Sequence, residues 1–344
     1  MTDRATPTAY SRRPMNDHIR TAVGPRVRAR SQHAPLGAEG PPSGPPSDRA
    51  DTSAASRPRG LATAVERWLD LPGRGRVWVR DCAGPSPNAP TALLLHGLGA
   101  TARLTWGESY DVLAEHMRVI AVDHRGHGNG LRTRRFRLED CADDAIAAAT
   151  ALGASRSVLV GYSLGGPIAL LGWQRHRERV AGLVLAATAA HFGGTRRTQV
   201  ARLLAPMASL LARLRPEQTR RMIVERALFR VDRPDMAPWI EREIAGHHPP
   251  TLIQAARAAW AFSFGDQLAG IDVPVSVVIT AEDDRIGVAR QRELAAAIPG
   301  ARQWEVPGPH TACLTRADRF APALAEACLD AWTRSVHAGR LDGE

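Results

Sequence analysis

The stretch that most restricts the fold is 158–171, which reads Val-Leu-Val-Gly161-Tyr-Ser163-Leu-Gly165-Gly166-Pro167-Ile-Ala-Leu-Leu. A short unbroken apolar run suits a strand buried on both faces, and the apolar residues after Pro167 continue as a buried helix. Between them lies G-x-S-x-G. A strand can turn so sharply into a helix only where side chains are missing at the closest approach, and the flanking glycines remove the Cβ atoms that would collide. Ser163 is then presented at the tip of a strained turn. The N–H of Leu164 faces a helix N-terminus, where negative charge is stabilised.

Short apolar runs alternate with longer helical segments from about residue 61 onward. Strands are expected at 76–80, 92–96, 118–122, 157–162, 182–186, 275–280 and 303–306. This alternation indicates an α/β protein with a doubly wound, mostly parallel sheet covered by helices. Between Leu185 and Val273 the alternation lapses, and helical periodicity with many arginines takes over, as at 200–214 and 219–229. We expect a helical cap inserted into the sheet domain, broken into several helices by Pro234, Pro238, Pro249 and Pro250. The expected organisation is core at 61–190, cap at 191–268 and core again at 269–344. Residues 1–60 are rich in Pro, Gly, Ser and Arg, with GPPSGPP at 40–46, and are expected to form a disordered tail.

Charge narrows the function classes. The formal net charge is +10, but residues 1–60 hold ten arginines against five acids and so carry half of the excess. All 45 basic residues are arginine, a bias that fits a GC-rich genome better than phosphate recognition. Nucleic acid is therefore not expected as a partner. No run of 18 apolar residues and no signal-peptide pattern occurs, so no membrane span is expected and the chain is read as cytoplasmic. Cys82, Cys141, Cys313 and Cys328 form no CxxC pair and are read as reduced thiols.

A second strand end carries chemistry. Ala92-Leu-Leu-Leu-His96-Gly97-Leu98-Gly99 joins a strand to a glycine-rich turn that can offer the backbone N–H of Leu98 to a developing oxyanion. It reads equally as a plain turn, and His96 as structural. The loop Asp123-His124-Arg125-Gly126-His127-Gly128 invites a metal reading, but a structural turn is favoured because no matching ligands stand elsewhere. Gly97-Leu-Gly99 lacks the third glycine of a dinucleotide fingerprint, position 102 being alanine.

Over roughly 75–336 these elements resemble the α/β-hydrolase family, in particular its capped, esterase-like branch common in actinobacteria. The resemblance rests on His96-Gly97 after a strand, Asp123 to Gly128 after the next, the Ser163 elbow, and an acid and a histidine after two late strands. It implies the α/β-hydrolase fold and the order nucleophile, acid, histidine. The family spacing counted from Pro274 lands on Asp283. Thr280 stands where the family usually has glycine, which leaves Asp284 as an alternative. His310 follows the last expected strand in a loop and is the expected base, although Pro309 departs from the family's usual glycine.

The expected chemistry is therefore attack by Ser163 on an acyl carbon, with His310 taking its proton, Asp283 orienting His310, and the Leu98 and Leu164 N–H groups forming the oxyanion hole. The expected substrate is a small carboxylic ester or thioester with an apolar acyl part, with no metal and no organic cofactor. Serine at 163 argues against branches that use an aspartyl ester. Carbon–carbon bond hydrolysis, acyl transfer, cofactor-free peroxidation and a non-catalytic ligand-binding module are alternatives on the same machinery. In the cap, Leu203, Leu204, Met207, Leu210, Leu211, Trp239 and Trp260 are expected to roof the acyl pocket or to pack the cap onto the core. The sequence leaves the oligomeric state open.

Overall fold

In a computed structural model of the chain, residues 64–341 are described, apart from 229–230 and 232–233; the expected 1–60 tail lies outside them. Eight strands build one sheet: β1 (Val65–Leu71), β2 (Gly75–Cys82), β3 (Thr91–Leu95), β4 (Arg118–Val122), β5 (Ser157–Tyr162), β6 (Val180–Ala186), β7 (Val275–Thr280) and β8 (Arg302–Val306). Their order is β1-β2-β4-β3-β5-β6-β7-β8. From β4 to β8 every pairing is parallel, while β1 and β2 add an antiparallel hairpin at one edge. The mostly parallel, doubly wound sheet of the α/β-hydrolase fold is thus present.

Eleven α-helices follow in chain order among the described residues: α1 (Ala102–Trp106), α2 (Tyr110–Ala114), α3 (Leu138–Ala151), α4 (Gly165–Arg175), α5 (Arg196–Leu214), α6 (Pro216–Leu228), α7 (Ala237–Ala245), α8 (Pro249–Ala261), α9 (Val288–Ala297), α10 (Ala312–Thr315) and α11 (Ala317–Leu341). Because side chains alternate along a strand, each central strand feeds two cores. Leu93, Leu95, Leu159 and Val277 pack with α3 and α4 residues such as Ile146 and Ile168. Ala92, Leu94, Val158 and Val278 pack instead with Trp106, Tyr110 and Phe320 from α1, α2 and α11. Burying each such Val or Leu contributes about 1.5–3 kcal/mol, so the sheet centre is the most stable place from which to project functional groups.

The strand β1 was not expected. Its burial alternates only partly and most of it stays accessible, as suits an edge strand held by one neighbour.

Helices α5 to α8 fill the stretch between β6 and β7. Pro238 sits in the first turn of α7, and Pro249 and Pro250 open α8, where a missing N–H costs nothing. The α7–α8 part is tied to the core loops. The Thr101 hydroxyl donates to Glu243 Oε2 at 2.7 Å, the Gly128 N–H to His247 Nδ1 at 2.8 Å, and the Phe136 N–H to Gln254 Oε1 at 3.0 Å. One expectation fails here. Leu203, Leu204, Met207, Leu210 and Leu211 do not line the space around Ser163; they are exposed on α5, which turns Ala205, Ser209 and Ala212 inward instead. Small side chains let α5 lie close to α8, and the Ser209 hydroxyl donates to the Pro250 carbonyl at 3.2 Å. Trp239 is packed in the core as the second expectation had it.

Candidate active site

The turn after β5 is as tight as its sequence demands. Ser163 has φ 52°, the left-handed region that a non-glycine residue enters only under constraint. Its N–H donates to the Ala186 carbonyl at 3.0 Å, and its own carbonyl accepts from the Gly166 N–H at 3.0 Å and from the Thr188 hydroxyl at 2.8 Å. A Cβ on Gly161 would lie 2.3 Å from the Gly165 oxygen, and one on Gly165 would lie 2.0 Å from the Leu95 oxygen. No side chain larger than hydrogen fits at either position.

His310, on the loop between β8 and α10, brings Nε2 to 3.0 Å from the Ser163 Oγ and Nδ1 to 2.7 Å from Asp283 Oδ2. A carboxylate only accepts, so the network assigns the proton to Nδ1 and leaves Nε2 free to receive one. The Tyr162 hydroxyl donates to the His310 carbonyl at 2.5 Å and pins that loop to the end of β5. Burial pushes the Tyr162 phenol well above its usual range, which keeps it a donor.

Of the two aspartates open at the sequence level, Asp283 faces His310, whereas Asp284 is exposed. Asp283 accepts five hydrogen bonds. Oδ2 receives His310, the Thr280 hydroxyl at 2.9 Å and Gln291 Nε2 at 2.9 Å, and Oδ1 receives the Arg285 N–H at 2.9 Å and the Ile286 N–H at 3.0 Å. Burial opposes the charge, but the His310 bond, together with Ile286 and Thr280, holds the carboxyl below its usual range.

The loop after β3 lies against the serine. A Cβ on Gly97 would stand 3.5 Å from the Ser163 Cβ, so the Leu98 peptide runs beside the elbow where Leu164 begins the next helix. His96 is fully buried. Its Nε2 accepts the His124 N–H at 2.9 Å, which leaves Nδ1 to donate to the Gly97 carbonyl at 2.8 Å. Since the Gly97 carbonyl and the Leu98 N–H belong to one peptide plane, this bond sets the direction of the Leu98 N–H.

Asp123 is committed to structure. It accepts Arg80 at 3.1 Å, the Ala102 N–H at 2.9 Å and the Asn129 N–H at 3.0 Å. Among the described residues no cluster of His, Cys, Asp or Glu has the arrangement of a metal site.

Two chambers meet at Ser163 and His310. One, of about 380 Å³, is mainly apolar, with Leu104, Met222, Ile223, Leu252, Ile253 and Ala256 among its walls. The other, of about 500 Å³, has more polar walls, including His191, Thr195, Thr198, Trp260 and Arg290. Trp260 therefore lines the more polar chamber and not the apolar one. Sequence reading missed Thr280, Gln291 and Tyr162: Tyr162 meets His310 from far along the chain, and Thr280 and Gln291 reach Asp283 only through the turn after β7 and the packing of α9. Thr280 alone left a trace, as a departure from a family glycine.

A sheet of this order with a serine elbow facing a late histidine defines the α/β-hydrolase class. The sequence model of the alpha/beta hydrolase family matches residues 92–323, and the chain belongs to that family. It is 28% identical over 258 residues to a putative carbamate hydrolase, RutD, of Caulobacter vibrioides, covering 70% of this chain and 91% of that protein. It is 24% identical over 248 residues to a pimeloyl-[acyl-carrier protein] methyl ester esterase of Vibrio atlanticus, covering 70% and 94%. Among solved structures, a thermophilic esterase from Thermogutta terrifontis superposes with a TM-score of 0.64 at 24% identity, covering 80% of this chain and all of that one. These relatives support a hydrolase. Among the described residues no helix is long and apolar enough to cross a membrane.

Proposed function

We propose that the chain is a serine hydrolase that cleaves a carboxylic ester or thioester through an acyl-enzyme on Ser163. The observation that carries the reading is the continuous line from Ser163 Oγ through His310 to Asp283, at 3.0 and 2.7 Å. In this reading His310 Nε2 takes the Ser163 proton as Oγ attacks the acyl carbon. The imidazolium is stabilised by Asp283, whose charge its five donors secure. The Leu98 and Leu164 N–H groups hold the oxyanion, His310 returns the proton to the departing alcohol or thiol, and water repeats the sequence to release the acid.

The two chambers suggest how a substrate lies. The apolar chamber takes the acyl chain and the more polar one the leaving group, with the reacting carbon at their junction. The esterase name of the Vibrio atlanticus relative is consistent with ester cleavage. Hydrolysis of p-nitrophenyl acetate, butyrate and octanoate by the wild type, Ser163→Ala and His310→Ala tests the proposal. Turnover is expected from the wild type and should be lost in both variants; a folded wild type that hydrolyses none of the three would count against it.

A further inference from the structure

Helix α5 presents its large side chains to solvent. Val200, Leu203, Leu204, Met207, Leu210, Leu211 and Leu214 recur at the 3.6-residue period and lie along one stripe, with Leu203 80% and Leu214 70% exposed. The residues that α5 buries are Ala205, Ser209 and Ala212, all small. A stripe of this length on a helix facing water needs a partner.

The charges around the stripe identify the partner's chemistry. Residues 196–215 contain five arginines and no acid. Arg202 and Arg213 are exposed beside the stripe, Arg196 and Arg215 are exposed at its two ends, and among the described residues none of the four makes an ion pair. Glu217, the next acid along the chain, is paired with Arg220. A second copy packed stripe to stripe would set arginines against arginines with no acid on either helix to offset them. The first 60 residues, with ten arginines, would bring the same like charge.

We propose that α5 seats the protein on an anionic lipid surface, with the leucines and Met207 entering the acyl boundary and the flanking arginines meeting lipid phosphates. An amphipathic helix of modest mean hydropathy with arginines beside its apolar face is what such a surface retains. Thr195 and Thr198, at the N-terminal end of α5, also line the more polar chamber, so seating the helix brings that chamber to the lipid surface. The proposal stands apart from the chemistry assigned to Ser163.

Co-sedimentation of the full chain with vesicles tests it, using phosphatidylcholine alone and equal parts of phosphatidylcholine and phosphatidylglycerol. The wild type is expected to bind the mixed vesicles and not the neutral ones. Leu203→Glu with Leu210→Glu should weaken binding by about tenfold or more without shifting thermal unfolding, because both residues are exposed. Arg202→Gln and Arg213→Gln should each weaken it by about fivefold. Absence of binding by the wild type, or equal binding by the double glutamate variant, would overturn the proposal. A dimer in solution that the same glutamates dissociate would also overturn it, in favour of a second copy.

Discussion

The Thr280 hydroxyl donates to Asp283 Oδ2 at 2.9 Å, the same oxygen that receives His310 Nδ1 at 2.7 Å. The position at which the family usually carries glycine is thus occupied here by a donor to the acid. Gln291, from α9, completes the support by accepting the Thr280 N–H at 3.0 Å while donating to Asp283. This pair lets one fully buried carboxylate oxygen keep its charge and its direction.

Asp283→Asn should lower kcat by about 10⁴-fold, because an amide cannot hold His310 in the required tautomer. Asp284→Asn, at an exposed position, should change kcat by no more than about twofold. Thr280→Val should cost about tenfold in kcat with KM little changed, and Thr280→Ser should restore the rate, since it keeps the hydroxyl. Steady-state kinetics on p-nitrophenyl butyrate separates these cases.

His96 is predicted to act through the Leu98 peptide. His96→Ala frees the Gly97 carbonyl and should lower kcat by about 10- to 100-fold, below the loss for removing an oxyanion donor outright. The affinity for a trifluoromethyl ketone, which forms the tetrahedral adduct, should fall in parallel, while KM for the ester should hardly change.

The apolar chamber should set acyl length. Ala256→Trp fills part of its roughly 380 Å³ and should abolish turnover of the octanoate while sparing the acetate. Equal losses on both esters would place the acyl chain elsewhere.

Four buried imidazoles make the fold sensitive to acid. Burial lowers the pKa of His124 from 6.5 to about 3 and of His247 to about 4, and lowers His96 and His127 well below the ordinary value. The unfolded chain takes up these protons near pH 6.5 and the folded chain refuses them, so stability must fall as the pH drops from about 7 toward 4. Each excess proton contributes a slope of about 1.4 kcal/mol per pH unit. Both ring nitrogens of His124 lack a partner among the described residues, and its ring lies tilted against that of His96, with centroids 4.1 Å apart. His124→Phe should therefore lose less stability than the wild type between pH 7 and 5, as read from urea midpoints.

Much of the fold was legible because central strands buried on both faces leave unbroken apolar runs. Arg118–Val122, Ser157–Tyr162 and Val275–Thr280 coincide with their expected ranges. The edge strand Val65–Leu71 was not, since exposure on one side lets charged residues interrupt its pattern. The serine, the histidine and a choice of two aspartates were also readable, each at a strand end. Choosing between Asp283 and Asp284 needed the turn geometry, and Gln291 needed the packing of α9 on β7. On α5 the periodicity showed an apolar face but not its direction. A stripe of leucines ordinarily points inward, and here Ala205, Ser209 and Ala212 take that side.

Formation of a covalent intermediate on Ser163 is tested by intact-protein mass measurement after reaction with a fluorophosphonate. A single adduct is expected that maps to Ser163, forms slowly in His310→Ala and is absent in Ser163→Ala. An adduct that persists in Ser163→Ala, or a wild type that turns over esters yet carries no adduct, would contradict it.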